Sequence, residues 1–182
     1  MTALKVAIFD LDGTLLDSDR ALVEAFVRCG IPAETVTFGH VLTHECARLG
    51  IAVEDYIAAY DPHDVSPFDG VLELLDRVDR WAVASHKDRT VGLAELDYLG
   101  WTPEVALFTQ DFGGTKELEV VLDALGIGRD DAVFVGDTAH DRDASVRAGV
   151  SFVVAGWNAR ADVRDGDVVA RHPGDVIGLL GG

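Results

Sequence analysis

Lys5-Val6-Ala7-Ile8-Phe9-Asp10-Leu11-Asp12-Gly13-Thr14 decides how the rest of the chain is read. Val6–Phe9 is a short, unbroken apolar run that ends abruptly in an acid and an Asp-Gly turn. Such a run is too short for a helix or for a signal-peptide core, and it suits a strand buried on both faces. In an open parallel sheet, ligands gather beyond the carboxyl ends of the strands. Asp10 and Asp12 stand at that end, with one residue between them, where a glycine turn can bring both carboxylates into one crevice. Taken alone, the segment also fits ordinary turn and helix-capping chemistry.

The same grammar recurs downstream. Apolar runs at Trp81–Ala84, Val105–Phe108, Ala132–Val135 and Phe152–Val154 each lead into a polar or glycine-rich turn. Helical periodicity fills Val71–Val78, Thr90–Leu99, Glu117–Leu125 and Asp143–Ala148. Strands alternating with helices predict an α/β fold, a Rossmann-like parallel sheet with helices on both faces. One interval breaks the rhythm: roughly 70 residues separate the first two strands, far more than a crossover needs. Segments 20–29, 38–49 and 53–60 read as helical there, and Asp61-Pro62 and Ser66-Pro67 punctuate the return. The expected organisation is a core domain of residues 1–15 and 68–182, with a small α-helical cap, 16–67, inserted after the first strand.

Composition narrows the function. The chain has 182 residues, 48% of them apolar, enough for a sizeable core. It carries 32 acidic against 15 basic residues, a net charge of −17. Only Lys5, Lys87 and Lys116 are lysines. Nucleic acids and anionic membranes call for clustered cations, so neither is an expected partner. No apolar run approaches the 20 or so residues needed to span a bilayer. Cys29 and Cys46 match no metal or disulfide pattern and read as reduced thiols of a cytoplasmic protein. Nothing in the pattern specifies an oligomeric state.

Three further segments fall beyond strand ends. Ser85 and His86 follow the second strand; a hydroxyl there can donate to a phosphate oxygen or cap the next helix. Gly113-Gly114-Thr115-Lys116 precedes a helix, where Lys116 can serve as a point charge for phosphate. A P-loop is excluded because Thr115, not glycine, precedes the lysine. Gly136-Asp137-Thr138-Ala139-His140-Asp141 sets two acids four apart in a turn suited to a hard cation with oxygen ligands.

In this order, D-x-D-x-T at 10–14, Ser85, Lys116 and Gly136-Asp137…Asp141, the chain resembles the haloacid dehalogenase-like superfamily, in its phosphoglycolate-phosphatase-like branch. The resemblance implies Mg²⁺-dependent hydrolysis of a small-molecule phosphate monoester. Asp10 would be the nucleophile that becomes an aspartyl phosphate, and Asp12 the acid and base. Ser85, Lys116, Thr14 and His86 would contact the phosphate or substrate. Asp10, the Asp12 backbone carbonyl, Asp137 and Asp141 would hold the metal. Dehalogenating members lack the acid at the Asp12 position, so its presence favours phosphoryl chemistry.

The chain departs from the family at His86, where Asn is common, and at Glu117, where Pro often follows the lysine. The excursion is also short for a helical cap. Two other readings share the motifs: a phosphotransferase such as a sugar-phosphate mutase, and a non-catalytic binder of phosphorylated ligands. Within the excursion, His40 and His44 sit four apart beside Glu45 and Cys46. Val41 follows His40, so this is not H-E-x-x-H, and a solvated helix face is expected. Arg20, Arg48, Tyr56 and His63 are expected in solvated or packing roles.

Overall fold

The computed structural model describes residues 5–37 and 41–181. Six parallel strands form one sheet in the order β5-β4-β1-β6-β7-β8. They are β1 (Val6–Phe9), β4 (Trp81–Ala84), β5 (Val105–Leu107), β6 (Ala132–Gly136), β7 (Ser151–Ala155) and β8 (Val169–Ala170). The first five fall on the expected apolar runs, within one residue at either end. Only β8 lies outside the sequence expectations, being too short to show periodicity.

The apolar runs are continuous because both faces of the sheet are covered. On one face Ala7, Phe9, Val83, Val133, Val135 and Val153 share a core with Leu96, Val176 and Leu180. These last three come from α5 (Arg89–Leu99) and α9 (Asp175–Leu180). α4 (Val71–Leu75) adds Val71 and Leu74 to the same layer. On the other face Ile8, Ala82, Ala84 and Phe134 pack on α7 (Leu118–Leu125) and α8 (Ala139–Ala148) through Leu118, Val121, Ala144 and Ala148. Phe112 of the short α6 (Thr109–Phe112) joins them. Successive strand side chains point to opposite faces, so even and odd positions of β1 feed different cores.

Between β1 and α4 the chain makes its excursion. It leaves through β2 (Leu16–Asp17) and returns through β3 (Ser66–Pro67), which pair antiparallel, Leu16 opposite Pro67. Between them lie α1 (Asp19–Arg28), α2 (Leu42–Leu49) and α3 (Val53–Ala59). They hold a small core of their own: Ala25, Phe26, Cys46 and Tyr56, with the Phe26 and Tyr56 rings 4.5 Å apart. His40 lies outside the described residues. His44 is exposed, in keeping with a solvated face there, while Glu45 and Cys46 are buried. Glu45 accepts from Thr37 N (2.7 Å) and pairs with Arg48 (2.6 Å). Tyr56 is a core residue of this unit, and His63 pairs with Asp61. Both cysteines are free thiols. Among the described residues, no helix is long and apolar enough to cross a membrane.

Candidate active site

β1 lies at the centre of the sheet, flanked by β4 and β6. The chain runs from β1 outward to β4 and β5, then returns to the opposite side as β6. A crevice opens where the order reverses, beyond the carboxyl ends of β1, β4 and β6. Asp10, Ser85 and Asp137 are the residues that leave those three strands. Lys116 arrives from the segment between α6 and α7.

Side-chain oxygens of Asp10, Asp137 and Asp141 lie within 4.8 Å of one another, all three residues buried. Lys116, only 1% exposed, reaches Asp10 Oδ1 at 2.9 Å and Asp141 Oδ1 at 2.5 Å. An ammonium has three donors, so one remains for a ligand. Asp141 also has a local duty. It caps α8 together with Thr138, whose N–H and hydroxyl donate to Asp141 Oδ2 at 3.0 and 2.7 Å. This capping box starts α8 at Ala139 rather than Asp143. Asp141 thus caps α8 and lies in the carboxylate cluster at once.

Three carboxylates around one ammonium leave the cluster short of positive charge. Two unit charges about 4 Å apart repel by about 4 kcal/mol at an effective dielectric of 20. Burial, opposed by Lys116 and reinforced by Asp141 and Asp137, holds Asp10 well above the usual carboxylate range. Burial and the Asp141 charge push Asp137 up to about 7. For Asp141, burial is outweighed by the Lys116 ammonium, and its pKa falls. Burial opposes the charge of Lys116, but Asp10 and Asp141 raise its pKa on balance. An all-oxygen donor set with surplus negative charge suits a hard divalent cation, which would relieve both the burial and the repulsion.

Two glycines let the carboxylates come this close. A Cβ on Gly13, whose φ is +79°, would stand 2.3 Å from Asp137 Oδ2. A Cβ on Gly136 would stand 2.5 Å from the Asp141 Cβ.

The other expected residues take these places. The Asp12 carboxylate lies outside the triad and meets Lys87 Nζ at 2.6 Å through Oδ1. Ser85 is buried, and its Oγ accepts from Lys87 N at 3.2 Å, leaving the hydroxyl proton to donate. Thr14 departs from expectation: it is fully buried and its hydroxyl donates to Asp137 Oδ1 (3.3 Å), so it orients an acid instead of facing a phosphate. His86 departs likewise. Its Nε2 accepts from the Lys116 backbone N–H at 3.0 Å, and burial and the Lys116 charge push its pKa down to about 4. It is a neutral strut for the lysine loop.

Sequence reasoning missed Lys87, Glu95, Tyr60 and Asn158. Lys87 also meets Glu95 Oε1 and Oε2 at 2.6 and 2.7 Å, and the Tyr60 hydroxyl donates to Glu95 Oε1. Asn158 donates to Asp137 Oδ2 and to the Gly13 carbonyl. One signal was present: Lys87 is one of only three lysines and stands two residues past Ser85. A hollow of about 400 Å³ on the helical unit, beside Arg28, Cys29 and Asp55, contains none of these groups.

The model of the haloacid dehalogenase-like hydrolase family matches residues 35–155. The pyrophosphatase PpaX of Halalkalibacterium halodurans is 27% identical, covering 98% of this chain and 97% of its own. A phosphoglycolate phosphatase of Xanthomonas campestris is 27% identical, with 93% of each chain covered. The tyrosine-protein kinase PtkA of Mycobacterium tuberculosis is 32% identical over 88% of this chain and 65% of its own length. In fold, the chain is similar to a haloacid dehalogenase-like family hydrolase of Streptococcus pneumoniae, with a TM-score of 0.78, 19% identity, and coverage of 98% and 99%.

Proposed function

The chain belongs to the haloacid dehalogenase-like hydrolase family, and on that premise we propose that it is a Mg²⁺-dependent phosphatase. It hydrolyses a small-molecule phosphate monoester through an aspartyl phosphate on Asp10. The observation that carries this reading is the buried carboxylate triad of Asp10, Asp137 and Asp141 with Lys116 on Asp10. Relatives named for pyrophosphate and phosphoglycolate hydrolysis support a small anionic substrate.

Asp10, the Asp12 carbonyl and Asp137 would hold Mg²⁺, with Asp141 as a further ligand or the partner of a bound water. When bound, the ion supplies positive charge against the phosphoryl oxygens. A carboxylate oxygen of Asp10 attacks phosphorus as the bond to the leaving alcohol breaks, and Asp12 gives that alcohol a proton. Asp12 then takes a proton from water, whose oxygen bonds to phosphorus as the Asp10–phosphorus bond breaks. Ser85 and the third donor of Lys116 hold phosphoryl oxygens throughout. Asn158 and Thr14 fix the Asp137 carboxylate, and His86 fixes the loop that carries Lys116.

Asp10→Asn abolishes phosphate release from p-nitrophenyl phosphate, and EDTA does the same to the wild type. Turnover by Asp10→Asn at the wild-type rate defeats the covalent mechanism. The kinase-named relative favours a second reading, phosphoryl transfer to a hydroxyl acceptor. Stoichiometric release of inorganic phosphate separates hydrolysis from that transfer.

A further inference from the structure

We infer that Lys87 is a positioning residue for proton transfer: with Glu95 behind it, it grips one oxygen of the Asp12 carboxylate and leaves the other free to exchange protons with the leaving group and water. The inference deepens the proposed function and rests on the acid–base role given there to Asp12.

Lys87 and Lys116 are two of the three lysines in the chain, and both are buried at the same crevice. Each is held between two carboxylates, Lys116 by Asp10 and Asp141, Lys87 by Asp12 and Glu95. The pairs nevertheless differ. Lys116 keeps a donor in reserve. Lys87 meets Asp12 Oδ1 at 2.6 Å and straddles the two oxygens of the single Glu95 carboxylate, Oε1 at 2.6 Å and Oε2 at 2.7 Å. The Lys87 side chain is only 3% accessible, although it lies two residues past Ser85.

Glu95 lies on α5 and is fully buried. A carboxylate there carries a large desolvation cost, and an aliphatic side chain would fill the position without it. Its two oxygens are nevertheless committed to Lys87, with the Tyr60 hydroxyl as a third contact. Tyr60 also lays its ring 5.6 Å from Lys87 Nζ. The ammonium is thus fixed from behind and from the side. Asp12 is the exposed end of the chain of contacts, its side chain 28% accessible against 3% for Lys87 and 0% for Glu95. Among the described residues, Asp12 Oδ2 makes no hydrogen bond.

An Asp two residues from Asp10 could otherwise swing into the cation cluster. The Lys87 contact holds the Asp12 side chain outside the triad of Asp10, Asp137 and Asp141. The arrangement therefore keeps the acid–base carboxylate apart from the nucleophile and metal ligands that the same turn delivers.

The test measures kcat/KM, which reports leaving-group departure, for aryl phosphates from p-nitrophenyl to phenyl phosphate with saturating Mg²⁺. Asp12→Ala is the reference. Poor leaving groups need protonation most, so Asp12→Ala loses more on phenyl phosphate. Lys87→Met is expected to show the same gradient, on the order of 10-fold steeper than wild type, with half-saturating Mg²⁺ unchanged. In the Asp12→Ala background, Lys87→Met adds less than about 3-fold, because residues acting as a unit are non-additive. If Lys87→Met does not fold, Lys87→Met/Glu95→Gln removes the unpaired buried charge and replaces it throughout. An equal loss across the series, or losses that simply multiply in the double variant, overturns the positioning role while leaving Asp12 in place. An Asp12→Ala variant without a gradient removes the acid role itself and this inference with it.

Discussion

The side-chain amide nitrogen of Asn158 lies 2.9 Å from the Gly13 carbonyl and 3.0 Å from Asp137 Oδ2, tying the turn after β1 to the turn after β6. Both turns carry acids of the triad. Asn158→Ala is expected to raise the half-saturating Mg²⁺ concentration about 10-fold or more, as loss of outer-sphere partners does at other metal sites, with kcat at saturating metal changed far less. A Mg²⁺ titration of activity measures it. An unchanged half-saturation would show that Asp137 needs no such support.

Gly13 meets Asp137 at a distance where no side chain fits. Gly13→Ala must displace the Asp137 carboxylate and adopt a strained positive φ as well. Turnover is expected to fall on the order of 100-fold, the effect of ångström-scale misplacement of a reacting group. Circular dichroism should show a folded protein. Near-normal kcat in a folded Gly13→Ala variant would mean that the turn relaxes without disturbing the carboxylate.

Without metal, the raised pKa of Asp137, about 7, makes the cluster pH-sensitive. The folded state holds a proton that the unfolded chain releases near the ordinary Asp value of 3.8. That contribution to stability is complete below the unfolded value and is lost as pH rises through about 7. In EDTA, Asp137→Asn should therefore gain on the wild type as pH goes from 5 to 8, by a melting-temperature difference on the order of 5 °C. Saturating Mg²⁺ should reverse the ranking at pH 8. Parallel melting curves for the two proteins in EDTA across this range would remove the assignment.

Glu45 shows the opposite sign. Hydrogen bonds from Arg48, against the effect of burial and with help from Thr37, lower its pKa to about 2. Its stabilisation is full above the unfolded value of 4.5 and is lost as pH falls towards about 2. Arg48 is half exposed, so solvent screening discounts the pair. Glu45→Ala is expected to cost about 1–2 kcal/mol at pH 7, with almost no cost at pH 2. Hydrogen exchange in α1–α3 should quicken while the sheet stays protected. Equal quickening in both parts would mean that the helical unit does not open separately.

The central strands were legible because burial on both faces leaves runs of apolar residues that few other structures need. β8 was not, since two residues between turns carry no period, and the six residues of α9 include Gly178. At the site, Asp10, Asp12, Ser85, Lys116, Asp137 and Asp141 stood out because each marks the end of a strand or the start of a helix. Thr14 and His86 were legible as polar neighbours but not in their contacts, which depend on Asp137 and Lys116, far away in the chain. Glu95 looked like an ordinary helix residue. Its burial follows from a pairing with Lys87 and Tyr60 that no local pattern encodes.

The pairing of β2 with β3 bears on the history of such molecules. Paired antiparallel strands hold opposed Cα atoms roughly 5 Å apart, so the helical excursion begins and ends at a single doorway. Any replacement segment whose ends meet at that spacing could be spliced there without re-registering the sheet. Lineages could then exchange helical modules while inheriting the carboxylate cluster intact, at the one condition that the newcomer supply its own counterpart of Tyr60 to the Glu95 carboxylate.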